Sequence, residues 1–66
     1  MESDRAQLSS AVSVLDDLTA RIVEVADRYR GGAREDVTAE LDEVERTLRQ
    51  ATRRLGRAVD RMRGPG

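Results

Sequence analysis

Four arginines recur at every fourth position near the end of a chain without lysine: Arg49, Arg53, Arg57 and Arg61. Residues four apart are neighbours on one side of an α-helix, so this row concentrates positive charge and repels itself. The planar guanidinium group suits both carboxylate and phosphate. The row predicts contact with an acidic segment of a protein partner or with a polyanion, and the alternative is a solvated face paired with nearby acids.

Acidic side chains cluster in the middle of the chain, including Glu40, Asp42 and Glu43. Metal sites in helical bundles usually use inward-facing glutamates and Glu-x-x-His pairs. The chain has no histidine and no cysteine, and the spacing of these acids predicts an outward face. We therefore predict neither a metal site nor a cofactor.

Catalytic groups are equally scarce. Ser9, Ser10 and Ser13 have no histidine or lysine to activate them as nucleophiles. The pair Gly31-Gly32 lacks the spacing and the lysine of a phosphate-binding loop. These features predict a non-enzymatic protein without a small-molecule substrate.

The size of the chain indicates that it needs a partner. A chain of 66 residues forms one small domain, which buries only about 60% of its unfolded surface. Without cysteine it has no disulfides, so a second subunit or another protein is the expected source of extra stability. The acidic start MESDRAQ is not a secretory signal, and no apolar run reaches the ~18 residues of a membrane span. We expect a cytoplasmic protein, and arginine without lysine is typical of a GC-rich bacterial genome.

The first half of the chain has the pattern of one helix over about residues 4–30, which contain neither glycine nor proline. Asp4 with Gln7, or Ser3, could cap its start. Apolar residues recur at spacings of three, four and seven, as on one side of a helix. The residues assigned to the core of the fold are Leu8, Val12, Leu15, Ile22 and Tyr29.

A second helix is predicted over about residues 33–63, after a turn at 31–32 and before a short tail at 64–66. Its leucines repeat every seven residues, which is typical of coiled-coil packing. Gly56 would be tolerated within this helix or would mark a close approach. The residues assigned to the core are Val37, Leu41, Val44, Leu48, Leu55 and Met62.

Folding the chain at the two glycines predicts an all-α antiparallel helical hairpin. Ile22 then shares a layer with Leu41, and Leu15 shares one with Leu48, so large residues meet along the whole length. A single continuous helix is the alternative, which the adjacent glycines disfavour.

Helix 1 carries a second apolar row that helix 2 cannot also cover: Ala11, Val14, Leu18 and Val25. Such a row marks an interface, although single exposed valines are normal. The simplest partner is another copy, because twofold homodimers are the commonest oligomers. The resulting four-helix bundle resembles the repressor-of-primer type of dimeric hairpin in architecture and length. We also expect a further protein partner.

Charge is divided unevenly along the sequence. Residues 1–45 have a balance of −7 and residues 46–66 have a balance of +6, within a total of −1. An acidic block in a second chain could therefore meet the arginine row and favour one orientation. RNA or DNA binding is the alternative, and the lack of interleaved aromatics disfavours it. Membrane binding is not expected, because helix 2 lacks large anchoring side chains.

Overall fold

The computed structural model describes the backbone of residues 2–63 and the side chains of residues 3–62. Two α-helices, α1 (Glu2–Tyr29) and α2 (Glu35–Arg63), pack against each other as an elongated hairpin of 52 × 15 × 10 Å. The predicted all-α hairpin is thereby confirmed, and a continuous helix is excluded. The predicted tail at 64–66 lies outside the described residues.

The start of α1 differs from the prediction. The helix begins at Glu2, so Ser3 and Asp4 lie within its first turn and do not cap it. A carboxylate is favourable at this place without being a cap, because it complements the positive end of the helix dipole.

The turn between the helices depends on Gly31, which has a φ of +82°. This left-handed conformation closes the end of a helix and suits glycine because it lacks a Cβ atom. The backbone N–H of Gly32 donates to the carbonyl of Tyr29 at 3.0 Å. α2 begins at Glu35, two residues later than predicted, and Glu35 and Asp36 occupy its first turn.

Two glycines should respond to alanine in opposite directions. Gly31→Ala should lower the free energy of unfolding by about 1 kcal/mol, because alanine is strained at positive φ. Gly56→Ala should raise it by about 0.5–1 kcal/mol, because Gly56 lies inside α2 and an added Cβ would meet nothing within 4 Å. Urea unfolding at one fixed protein concentration measures both changes. Shifts of the same sign would contradict this account.

The contact between the helices follows the leucine row of each helix and the row four residues further on. In α1 the positions along this contact alternate at spacings of three and four, and all are buried or half-buried: Leu8, Val12, Leu15, Thr19, Ile22 and Ala26. In α2 the corresponding positions are Thr38, Leu41, Glu45, Leu48, Thr52, Leu55, Val59 and Met62.

The observed packing differs from the predicted core at Val44 and Tyr29, which are 42% and 43% exposed. Val44 lies three residues after Leu41, whereas α2 turns Glu45, four residues after Leu41, toward α1. Tyr29 is the last residue of α1, and the turn begins there. The other residues predicted for the core are all half-buried.

Threonines can occupy the contact because most satisfy their own hydroxyl groups. Thr19 donates to the carbonyl of Leu15 at 2.7 Å, and Thr52 donates to the carbonyl of Leu48 at 2.8 Å. Such bonds to the preceding turn remove the cost of burying a hydroxyl. Polar side chains therefore lie between the helices, where the sequence pattern predicted valine and alanine.

Thr38 is the exception, because its buried hydroxyl has no hydrogen-bond partner among the described residues. Thr38→Val should raise the free energy of unfolding by about 1 kcal/mol, since an unsatisfied buried polar group is costly. Thr52→Val is the matched control: it removes a 2.8 Å bond and should leave stability unchanged or lower it. Thermal unfolding at equal concentration compares them. A Thr38→Val protein less stable than the parent would contradict the assignment.

Candidate protein–protein interface

One side of the hairpin is apolar and uncovered. We call it the apolar face, and it consists of the predicted interface row of α1 together with a row of α2. Val14 is 55% exposed and Leu18 is 41% exposed, while Ala11 and Val25 are half-buried. The α2 members are Val37, Val44, Ala51 and Ala58, all exposed except the half-buried Val37.

Helix geometry places both rows on the same side. Apart from Val14, which directly precedes Leu15, the uncovered row of each helix lies three residues after the leucine row, while the row that contacts the other helix lies four residues after it. At about 100° per residue, the uncovered row is therefore rotated by about 80° from the direction of contact, in the same sense in both helices. Because the helices run antiparallel, equal rotations bring the two rows to one side. The hairpin thus has a single continuous apolar face.

The single hairpin has almost no buried apolar interior. Among the described residues, only Ala26 and Val59 are buried hydrophobics, and no side chain is fully buried. The leucines between the helices remain half-exposed along the edge of the apolar face. Folded domains depend on closely packed interiors, and the single hairpin has little buried apolar interior of its own.

A shallow depression lies on this face of α2, lined by residues that include Val44, Thr47 and Leu48. Glu40 and Glu43 also line it. A side chain from a partner helix could insert here in the manner of helix packing, where a knob enters a hole formed by four residues.

The four arginines of the row differ in whether they form an ion pair. Arg49 pairs with Glu45 at 2.8 Å. By contrast, the guanidinium groups of Arg53, Arg57 and Arg61 have no ion-pair or hydrogen-bond partner among the described side chains, those of residues 3–62. The row therefore begins as a paired, solvated face and continues as uncompensated positive charge toward the open end of the hairpin.

The turn end is acidic and partly paired. Arg30 bridges the helices, because its guanidinium contacts Asp42 of α2 at 3.2 Å and Asp27 of α1 at 3.3 Å. Hydrogen bonding and attraction to Asp42, then to Asp27, raise the pKa of Arg30. Arg46 pairs with Glu43. Glu40 has no ion-pair partner among the described residues.

A local pair also forms at the start of α2. Arg34 donates to both carboxylate oxygens of Asp36, at 3.2 and 3.3 Å. This bond is the main reason that the pKa of Asp36 is lowered. The pair occupies one carboxylate in the acidic middle of the chain, so fewer acids remain available for contacts between chains.

The structure adds a row that sequence reasoning missed. Val44 was assigned to the core, but it is exposed on the apolar face together with Ala51 and Ala58. The signal was present as a second seven-residue repeat, three residues after the leucines on both helices. Nothing in the structure tests whether a partner covers these residues, so the interface stays a prediction.

No family model matches the chain, and no curated protein or solved structure gives a significant match. Over residues 2–63, neither helix has a stretch apolar and long enough to cross a bilayer. Within the same part of the chain, no three carboxylates are grouped so that they could hold a metal ion.

Proposed function

We propose that this protein is a non-enzymatic interaction module that self-associates through its apolar face as a homodimeric four-helix bundle. The observation that carries the proposal is the continuous apolar face shared by both helices. A second hairpin laid on that face would cover the exposed valines and Leu18, and it would also bury the half-exposed leucines beneath them. The proposed dimer would act as an adaptor, a regulator or a small accessory subunit of a larger protein.

Energetics favour a second copy over an isolated hairpin. Burying apolar surface contributes roughly 25 cal/mol per Å², and small chains have little other source of stability. A twofold dimer also places the same apolar face on both sides of the contact, so the two surfaces match in size and polarity. The expectation of a bacterial, cytoplasmic protein stays a prediction.

Sedimentation velocity of the whole chain from about 1 to 100 µM tests self-association. The expected species is a dimer, with twice the mass of the 7.3 kDa chain. It should dissociate into monomers only when the protein is diluted. A helical monomer that persists across the range would overturn the proposal.

Polyanion binding is the second candidate, and one observation favours it. Arg53, Arg57 and Arg61 have no acidic partner among the described residues, so this surface is available to the phosphates of RNA or DNA. Retardation of RNA or DNA at low salt would support it, especially if retardation falls steeply with added salt. Replacing Arg49, Arg53, Arg57 and Arg61 by glutamine should then abolish it. We favour the interaction module, because the apolar face needs a covering surface and phosphate cannot supply one.

A further inference from the structure

The hairpin is electrically polar along its length. The midpoints of the helices divide it into a turn half, residues 16–48, and an open half made of residues 2–15 and 49–63. The turn half holds ten carboxylates and five arginines, a balance of −5, and the open half holds three carboxylates and seven arginines, a balance of +4. Two such hairpins packed side by side attract or repel according to their relative direction.

The apolar face is bordered by one row of α2 that carries this polarity. It recurs every seven residues and consists of Glu40, Thr47, Arg54 and Arg61. Glu40 lies in the turn half, and the two arginines lie in the open half. None of these three charged side chains has an ion-pair partner among the described residues. A partner helix on the apolar face would run beside them.

Twofold symmetry allows two ways to cover the apolar face with a second copy. If both turns lie at the same end, α1 packs on the partner's α2, and the acidic halves face each other. If the turns lie at opposite ends, α2 packs antiparallel on the partner's α2, and each acidic half faces a basic half. Both arrangements bury the same apolar rows, so charge decides between them.

Resting on the proposed self-association, we propose that the second copy docks on the apolar face with its turn at the opposite end of the bundle. In this arrangement Val44 lies level with the partner's Leu55, and Ala51 lies level with the partner's Leu48. The same register brings Glu40 beside the partner's Arg61, and by symmetry Arg61 beside the partner's Glu40. Glu40 and Arg61 of one copy, which have no ion-pair partner within the hairpin, would thus form ion pairs with Arg61 and Glu40 of the other.

Charge reversal tests this register. At about 50 mM salt, Glu40→Arg and Arg61→Glu should each raise the dimer Kd roughly 3–10-fold, because each converts two attractive contacts into repulsive ones. The double variant should return to within about twofold of the parent, because the pair is restored in the opposite sense. Arg53→Glu is the control, because Arg53 lies outside the row that borders the apolar face. It should change Kd less than either single variant.

The double variant separates the two arrangements. With turns at the same end, Glu40 would lie near the partner's Arg21 and away from Arg61, so the two changes would not compensate. A double variant as weak as the two single changes combined would therefore overturn the proposal.

A distance measurement gives an independent test. A spin label on Ala33→Cys, in the exposed turn, should give a distance between copies close to the 52 Å length of the hairpin. Turns at the same end would give a distance below about 25 Å, which would overturn the proposal. The chain has no native cysteine, so the label is confined to this position.

Failure of self-association is distinguishable from a wrong orientation. A label on Gln50→Cys, exposed and midway along α2, should give a distance well below 52 Å in either arrangement. If neither position gives a distance between copies and both proteins sediment as monomers, the proposed self-association itself is overturned, and the orientation with it.

Discussion

Replacing Leu18 by glutamate is expected to convert the dimer into monomers at concentrations where the parent protein is fully associated. Leu18 is 41% exposed in the single hairpin, so the substitution removes little packing within one chain. In the dimer it would bury two carboxylates without partners, which costs far more than the apolar contact it removes. We expect Kd to rise at least 30-fold, which corresponds to about 2 kcal/mol. Sedimentation equilibrium measures the change.

Ala20→Glu is the matched control for this experiment. Ala20 lies on the same helix, two residues away, and its exposed side chain points away from the apolar face. The same charge there should leave Kd within about threefold of the parent value. Val44→Glu on α2 should behave like Leu18→Glu, because both residues lie on the apolar face. If Leu18→Glu and Ala20→Glu associate equally well, the apolar face is not the interface.

Dilution is expected to unfold the protein. No described side chain is fully buried in the single hairpin, so the helices should depend on the second copy for most of their stability. When folding and association are coupled, the melting temperature falls as the protein is diluted. For a dimer of this chain length we expect a decrease of roughly 3–6 °C for each tenfold dilution. Circular dichroism at 222 nm between 1 and 100 µM measures it.

Two variants sharpen the dilution experiment. Gly56→Ala should raise the melting temperature at every concentration, because alanine favours the helical conformation of α2 more than glycine does. The change of melting temperature with dilution should stay the same, because position 56 lies off the apolar face. Leu18→Glu should lower the melting temperature at every concentration, because it weakens the association on which the helices depend. A parent protein that melts at the same temperature throughout the range would show that one hairpin is stable by itself.

The arrangement of polar and apolar rows leaves this hairpin with an uncovered apolar face. Thr19 and Thr52 lie between the helices and satisfy their hydroxyls within their own helix. Valines and alanines that could have filled the same contact lie outside it. The hairpin therefore leaves apolar side chains available for contact between molecules, which is the arrangement expected of a subunit.

The helices themselves could be predicted from sequence. Apolar spacings of three, four and seven residues are typical of a helix, and Gly31 is suited to the left-handed conformation that ends α1. The charge polarity also follows from the order of the acidic and basic residues alone. The helix ends were placed within two residues, because caps depend on local hydrogen bonds that composition indicates only weakly.

The rotation of each helix about its own axis was decided only by the tertiary structure. The leucines of α2 are flanked by one row that includes Val44 and another that includes Glu45, and both rows share the seven-residue period. Periodicity indicates that the leucines face α1, but it does not tell which flanking row joins them, since that depends on how the two helices fit together. The apolar pattern favoured Val44, and the packing selected Glu45.

Which charged side chains form ion pairs between the helices was likewise decided by the tertiary structure. The sequence determined that four guanidinium groups would line one side of a helix, because their spacing matches the helical repeat. The spacing of four also allows Glu45 to pair with Arg49 within α2. Only the folded hairpin shows that Arg30 occupies the carboxylates of Asp27 and Asp42, and that Arg61 has no described partner. Ion pairs depend on distances between side chains, and those distances are set by how α1 and α2 pack.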